Sequence, residues 1–252
     1  MSIRCRALLL DLSGVLYDGH QVIAGASEAI EAFRRQGFTL RFVTNTATKP
    51  SAVIINDLKI MGIEVRAEEL YTAPLAARDY IQSRGLKPFC LIHKAIQHEF
   101  DVLEQADPDS VLLGDARDDL NYANLNRAFS LCKNGAPLIG IGMNKYFKDE
   151  EGLKLDAGAF IHAIEWAADT RAVIMGKPGR DFYEQVVAST GYKAAQCLMV
   201  GDDVQSDVLG ALDAGLQACL VQTGKYQSGD ERQLPPHAHL LSSIAALQLQ
   251  MD

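Results

Sequence analysis

Four short segments of the chain place polar residues that could do chemistry directly after apolar residues. They are Asp11 after ALLL, Thr44 and Asn45 after TLRFV, Lys177 in VIMGKP, and Asp202, Asp203 and Asp207 in LMVGDDVQSD. Clustered carboxylates are the ligands that a hard cation prefers, and a lysine ammonium can bind a phosphate as a point charge. These residue types are compatible with metal-assisted chemistry on a phosphate group.

Each segment by itself also has a purely structural interpretation. An aspartate before a glycine-containing turn is common, and TNTAT (44–48) has the composition of a helix N-cap. A lysine before Pro178 is more often solvated, and the acids at 202, 203 and 207 suit the start of a helix. All four segments nevertheless stand at the carboxyl end of an apolar strand, where open parallel sheets bind their ligands. That shared position favours one common site.

The apolar segments alternate with helical patterns in the rhythm of a parallel sheet. Strands are expected in ALLLDL (7–12), TLRFVTN (39–45), AVIMGKP (172–178), CLMVGDD (197–203) and ACLVQTG (218–224). Helices are expected from about residue 27 to 36, before Gly37, and from about residue 50 to 61, before Gly62. This alternation predicts a parallel sheet that is covered on both faces.

A second α/β segment interrupts this pattern. It opens near KPFCLIH (87–93), includes SVLLGD (110–115) and APLIGIGM (136–143), and has a hairpin around KDEEG (148–152). The predicted fold class is therefore α/β, with a Rossmann-like parallel-sheet core from residues 1–80 and 173–252 and an inserted α/β cap domain at 81–172. In the insertion, Asp156 is interpreted as a helix N-cap, and the acids at 115, 118 and 119 as a solvated face.

The overall charge restricts the partners of the protein. Its 252 residues include 24 lysines and arginines against 32 acids, a net charge of -8, which opposes non-specific binding to nucleic acid or anionic lipid. Asp11 interrupts the apolar run near the N-terminus well short of the length of a signal-peptide core, and no apolar run approaches the length of a membrane span. Five widely spaced cysteines without a metal-binding pattern are interpreted as reduced thiols of a cytoplasmic protein.

The order Asp, Thr, Lys, Asp-Asp at successive strand ends resembles that of the haloacid dehalogenase superfamily of phosphotransferases. The resemblance covers nearly the whole chain, because the insertion between Asn45 and Lys177 is similar to the larger α/β cap of that superfamily. The segments DLSGVLYDG, LIHKAIQHEFD, GKP and VGDDVQSDV, with the later TGKY, are similar to the phospholysine phosphohistidine inorganic pyrophosphate phosphatase subgroup. The resemblance implies a Mg2+-dependent phosphatase that acts on small phosphorylated compounds and, by analogy, a homodimer.

The resemblance also implies a role for each site residue. Asp11 is expected to be the nucleophile that forms an aspartyl phosphate. The expected Mg2+ ligands are Asp11, the backbone carbonyl of Ser13, and Asp202. The residues expected to contact the substrate are Asp11, Leu12, Ser13, Thr44, Asn45 and Lys177. Lys177 is also expected to be catalytic, by neutralising charge that moves during the transfer, while Asp203 and Asp207 orient metal-bound water or Lys177.

Ser13 departs from the superfamily pattern, which usually has a second aspartate there as the acid and base of the reaction. A serine hydroxyl does not exchange a proton in this way near neutral pH, although its backbone carbonyl is unchanged. One hypothesis is an enzyme for good leaving groups, namely those of pyrophosphate, phosphohistidine and phospholysine. The alternatives are a weakly active or inactive regulatory protein that binds phospho-ligands and metal, and a general phosphatase of small phosphate esters.

Overall fold

The computed structural model describes residues 3–149 and 151–251. Its strands are β1 (Ile3–Cys5), β2 (Ala7–Asp11), β3 (Tyr17–Asp18), β4 (Gln21–Val22), β5 (Thr39–Thr44), β6 (Leu70–Thr72), β7 (Pro88–Leu91), β8 (Ser110–Leu113), β9 (Leu138–Gly140), β10 (Tyr146–Asp149), β11 (Gly152–Leu155), β12 (Val173–Ile174), β13 (Cys197–Gly201), β14 (Gln217–Val221), β15 (His239–Leu241) and β16 (Leu249–Met251). Its helices are α1 (Ala26–Arg35), α2 (Ser51–Ile60), α3 (Ala73–Ser83), α4 (Tyr122–Lys133), α5 (Ala157–Ala168), α6 (Arg180–Thr190) and α7 (Gly210–Asp213). Within the described ranges, no helix is both long enough and apolar enough to cross a bilayer.

The described chain divides into two compact units. Unit 1 comprises the described parts of 1–44, 51–71 and 183–252, and unit 2 those of 45–50 and 72–182. The predicted inserted domain, residues 81–172, lies entirely within unit 2. The domain boundaries themselves stay a prediction.

Unit 1 is built on a six-stranded sheet in the order β15-β14-β13-β2-β5-β6. The successive pairs from β15 to β5 are all parallel. β2 is buried along its whole length, as a continuous apolar run requires in a sheet that is covered on both faces. Alternate residues such as Leu8 and Leu10 pack into one apolar cluster with Leu40 and Phe42 of β5. The predicted α/β class with a parallel-sheet core is confirmed.

Glycines follow the two helices that connect β2, β5 and β6. Gly37 after α1 has φ 86° and Gly62 after α2 has φ 78°, in the left-handed region that ends a helix. α1 buries Ala26, Ile30 and Phe33, whose spacing places them on one helical face. Both helices begin and end within one residue of the predicted bounds.

Unit 2 contains a four-stranded sheet in the order β12-β9-β8-β7, with all pairs parallel. Ile161 and Ile164 of α5 are buried in its apolar cluster. The Asp156 carboxylate accepts a 2.7 Å hydrogen bond from the Ala157 amide at the start of α5, which confirms the predicted cap. β10 and β11 form the predicted antiparallel hairpin, in which Glu150 lies outside the described residues.

Two expectations for unit 2 are wrong. The sequence groups β12 with the core strands, but Val173 and Ile174 pair with β9 of the four-stranded sheet, because a two-residue strand has no periodicity that identifies its partner. Asp115 is expected on a solvated face, yet it is only 8% exposed and pairs with Arg117 at 3.1 Å. Burial raises the pKa of Asp115, and the nearby Arg117 opposes that shift. Asp115 follows a buried strand, as the acids of unit 1 do.

Candidate active site

Neighbouring strands of unit 1 position the first residues of the site. β2 ends at Asp11, and β13 ends one residue before Asp202. The two strands are parallel with Leu10 opposite Val200, so both acids emerge at the same carboxyl edge of the sheet. Thr44 ends β5 on the other side of β2. The structure therefore brings these three predicted residues to one edge.

Asp11, Asp202 and Asp207 form a cluster that we call the acidic trio. One carboxylate oxygen of each residue lies within 4.8 Å of the others, and the three residues are 9%, 2% and 0% exposed. Such an all-oxygen, negatively charged set fits a hard divalent cation such as Mg2+. Asp207, expected only to orient other groups, lies beside the two carboxylates predicted as ligands.

Glycines surround the trio because a side chain would collide with its carboxylates. Gly14 has φ 84°, and a Cβ atom there would lie 1.9 Å from Asp202 Oδ2. A Cβ atom at Gly224, which has φ 62°, would lie 2.2 Å from the same oxygen. A Cβ atom at Gly201 would lie 2.2 Å from Asp207 Oδ2. Three backbone segments thus approach the trio more closely than any other residue type permits.

Backbone amides orient the carboxylates of the trio. Asp11 Oδ1 accepts a 2.8 Å hydrogen bond from the amide of Leu12. Asp207 Oδ2 accepts hydrogen bonds from the amides of Asp202 and Asp203 at 3.2 and 3.1 Å. Hydrogen bonds to an ionised carboxylate are stronger than neutral ones, so these amides stabilise buried negative charge.

Asp203 caps a six-residue π-helical turn, Val204–Leu209. Its Oδ1 atom accepts hydrogen bonds from the amides of Gln205 and Ser206, both at 2.9 Å. Burial alone would raise the pKa of Asp203, but the hydrogen bonds from Ser206, the charge of Lys225 and the Gln205 amide together lower it. Asp203 therefore stays ionised and holds the beginning of the turn. Turns of this wide type are frequent near functional sites.

The phenol of Tyr183 is buried next to the same turn. Its hydroxyl donates a 2.7 Å hydrogen bond to the carbonyl of Ser206. Burial, followed by the negative charges of Asp207, Asp11 and Asp203, raises the pKa of Tyr183 well above its ordinary value. The hydroxyl consequently remains a donor at neutral pH. Nothing in the sequence alone singles out this residue.

The loop after β14 is a part of the site that the sequence-based residue assignment omits. The Thr223 hydroxyl donates a 2.5 Å hydrogen bond to the carbonyl of Gly14. The amide of Lys225 donates to Asp202 Oδ2 at 2.7 Å, and its ammonium lies 3.9 Å from Asp203 Oδ2. A glycine in the polar segment TGK, at the carboxyl end of another apolar strand, is the signal that could have identified this loop.

Asn45 and Lys177 are joined within unit 2. Asn45 Nδ2 donates to the carbonyl of Lys177 at 2.8 Å, and the Lys177 amide donates to Asn45 Oδ1 at 2.7 Å. Lys177 is only 5% exposed. The Asn45 side chain thus holds the backbone of Lys177, whereas the sequence suggests only a phosphate contact for Asn45.

The five cysteines are free thiols, and four of them are buried. Burial raises the pKa of Cys90 and of Cys219 to about 12 and that of Cys132 to about 11. Because the thiolate is the nucleophilic form, these neutral thiols are inert.

Ser13, which follows Asp11 and Leu12, is exposed, and it forms a single β-bridge with Tyr17.

Comparisons with known proteins bear on the whole chain. Residues 8–104 match a family described as haloacid dehalogenase-like hydrolase, and residues 174–247 match one described as HAD-hydrolase-like. The chain is 40% identical to phospholysine phosphohistidine inorganic pyrophosphate phosphatase of Xenopus laevis, over 90% of this chain and 87% of the relative. It is 36% identical to haloacid dehalogenase-like hydrolase domain-containing protein 2 of Homo sapiens, over 94% and 92%. The fold is similar to that of p-nitrophenyl phosphatase from Archaeoglobus fulgidus, with a TM-score of 0.86 and 21% identity over 97% and 98% of the two chains.

The close approach of Gly14 to Asp202 predicts that Gly14→Ala disrupts the acidic trio. We expect Mg2+ affinity, measured by titration calorimetry, to fall by about 10-fold or more, because the new methyl group displaces a carboxylate. The matched control is Gly19→Ala, since Gly19 also has positive φ, 57°, but open space around its Cβ position. Both variants bear the left-handed backbone cost of roughly 1–2 kcal/mol. Equal Mg2+ affinities of the two variants would contradict this account of the site.

The lowered pKa of Asp203 predicts a pH-dependent contribution to stability. Ionised Asp203 stabilises the folded state above the ordinary carboxyl pKa, and this contribution is lost as pH falls through the lower folded-state pKa. The difference in unfolding free energy between wild type and Asp203→Asn should therefore be constant near neutrality and shrink in acid. Urea unfolding at several pH values measures it, with the exposed Asp213→Asn variant as the control for removing one charge. A difference that does not change with pH would exclude this role of the Asp203 charge.

Proposed function

We propose a reaction for this chain, which belongs to the haloacid dehalogenase-like hydrolase family and is a phosphatase. In this reaction Asp11 attacks the phosphorus atom of small phosphorylated substrates. The bond from phosphorus to the leaving group breaks as a bond to an Asp11 oxygen forms, and water then hydrolyses the aspartyl phosphate. The observation that carries this proposal is the acidic trio, with Asp11 at the end of a buried strand and two further buried carboxylates within 4.8 Å.

We assign Mg2+ as the cofactor of the trio. The oxygen donors of the trio support a small, hard cation. The neighbouring glycines support the same assignment, because a side chain at their positions would collide with the carboxylates. The proposed ligands are Asp11, Asp202 and the carbonyl of Ser13, with Asp207 as a positioning residue. When bound, Mg2+ supplies positive charge that polarises a phosphoryl oxygen and offsets the repulsion between phosphate and carboxylates.

The residues of the chain have separate tasks in this reaction. The Leu12 amide holds Asp11 Oδ1 and thereby orients the carboxylate for attack. The Thr44 hydroxyl and the Asn45 backbone are proposed to bind phosphoryl oxygens, and the Lys177 ammonium to neutralise charge during transfer. The paired hydrogen bonds between Asn45 and Lys177 support a fixed lysine backbone. The phosphate assignment of Lys177 rests on the order of the segments in the sequence.

Ser13 supports a restricted class of substrates. A serine at this position offers no carboxylic acid to protonate a departing group. Pyrophosphate releases a phosphate that is stable when it coordinates a cation, and the nitrogen of a phosphoramidate can carry its own proton. The relative from Xenopus laevis has phospholysine, phosphohistidine and inorganic pyrophosphate in its name. We propose the same three substrate classes for this protein.

A comparison of leaving groups tests this proposal. Pyrophosphate and phosphoimidazole should be hydrolysed with kcat/KM at least about 100-fold higher than an unactivated sugar phosphate, because general acid catalysis contributes about that factor or more. Phosphate release is measured with Mg2+ and with EDTA, and it should depend on the cation. Turnover of the sugar phosphate equal to that of pyrophosphate and phosphoimidazole would contradict the proposed substrate class.

The matched variant is Ser13→Asp, which keeps the backbone and adds the missing carboxyl group. It should raise sugar-phosphate turnover and leave the rate with phosphoimidazole nearly unchanged. A parallel change of both rates would show that the missing acid does not set the preference.

We also propose a cytoplasmic homodimer. Unit 2 exposes apolar side chains on its hairpin, where Tyr146 and Leu155 face each other across the strands and are 61% and 63% exposed, and Leu153 is 69% exposed. Such a surface is typical of a protein contact. The free thiols support a reducing compartment. Sedimentation of the purified protein tests the dimer, and a monomeric mass at micromolar concentration would contradict it.

A further inference from the structure

We propose that the hydroxyl of Tyr183 is a positioning group for the acidic trio and acts through the turn Val204–Leu209. The proposal rests on the proposed role of the trio as the cation site. It concerns a single oxygen atom, which a phenylalanine in the same place would lack.

Tyr183 is fully buried, and its hydroxyl is hydrogen-bonded. The residue is 0% exposed and is among the largest fully buried side chains of the described chain. Its hydroxyl donates to the carbonyl of Ser206 at 2.7 Å and lies 3.3 Å from the carbonyl of Asp207. A buried phenol needs a hydrogen-bond partner, because water cannot replace one there. In Tyr183 that partner is the backbone of the turn.

The turn itself has an unusual backbone geometry. The amide of Asp207 donates to the carbonyl of Asp203 at 3.0 Å, and the amide of Val208 approaches the same carbonyl at 3.3 Å. The second contact is the wide, five-residue spacing of a π-helix, which is less favourable than the α-helical spacing. A hydrogen bond from outside the turn therefore stabilises a conformation that the local backbone does not strongly prefer.

The position of this turn determines the position of Asp207. Its carboxylate accepts hydrogen bonds from the amides of Asp202 and Asp203 and lies within 4.8 Å of oxygens of Asp11 and Asp202. The space beside Gly201 is filled by the Asp207 side chain, so Asp207 cannot shift toward the strand. Loosening the turn would instead move Asp207 away from the other two carboxylates. A hydroxyl on α6 is in this way coupled to the cation site.

Tyr183→Phe tests the proposal, because it removes the hydroxyl and keeps the buried ring. We expect amide hydrogen exchange in residues 204–209 to become about 5- to 10-fold faster, because the variant loses the net stabilisation of one hydrogen bond. We also expect the Kd for Mg2+, measured by titration calorimetry without substrate, to rise by about 10-fold, as for loss of a group that orients a metal ligand. Tyr192→Phe is the matched control, since Tyr192 is an exposed tyrosine outside the turn, and it should change neither quantity.

Three results would overturn the proposal. They are unchanged exchange in residues 204–209, an unchanged Kd for Mg2+ in Tyr183→Phe, and exchange that rises equally in β13 and β14, which would indicate general destabilisation. The failure of the proposed function is distinguishable, because it would appear in the wild-type protein as absence of Mg2+ binding or of phosphate release. In that case the exchange measurement still decides whether the hydroxyl holds the turn.

Discussion

Mutual repulsion among three buried carboxylates is the constraint on which the rest of unit 1 depends. Two like charges at this separation repel by on the order of 4 kcal/mol at an effective dielectric constant near 20. The closeness of Asp11, Asp202 and Asp207 therefore requires amides that donate to them and backbone that leaves them space. The attraction of a divalent cation to each carboxylate would offset this repulsion, so the cluster is unfavourable for stability by itself and favourable for cation binding.

The surrounding structure meets this constraint from several directions. The sheet delivers Asp11 and Asp202 on adjacent parallel strands, so their spacing follows from strand geometry. The turn 204–209 adds Asp207 from the following segment, and the loop at 223–225 contributes an amide to Asp202. Glycines occupy the positions at which the backbone passes close to a carboxylate of the trio. Each contribution comes from a different part of the chain, which makes the arrangement a property of the folded unit.

Local patterns predict the parts of this site that local physics determines. A parallel strand buried on both faces is a continuous apolar run, so the strand ends at Asp11 and Asp202 are visible in the sequence. Left-handed glycines similarly mark the helix ends at Gly37 and Gly62. The order of these segments identifies the family. The departure at Ser13 is visible for the same reason, because it lies within a recognised segment.

Long-range contacts account for what the sequence does not predict. The sheet to which β12 belongs depends on a partner more than thirty residues away. Asp115 is buried by its tertiary surroundings and by Arg117, although its local charge pattern is that of a solvated face. The hydrogen bonds between Asn45 and Lys177 join residues 132 positions apart. Sequence spacing contains no information about such contacts.

Covalent phosphorylation of Asp11 is the step from which the other proposed roles follow, and trapping the acyl phosphate detects it. The enzyme is mixed with phosphoimidazole and Mg2+, quenched in acid and reduced with borohydride, which converts an acyl phosphate to an alcohol. We expect a reduced side chain at position 11 in the peptide mass spectrum of the wild type, and we expect it to be absent from Asp11→Asn and from enzyme without substrate. Steady phosphate release with no modification at position 11, or with modification at another residue, would contradict it.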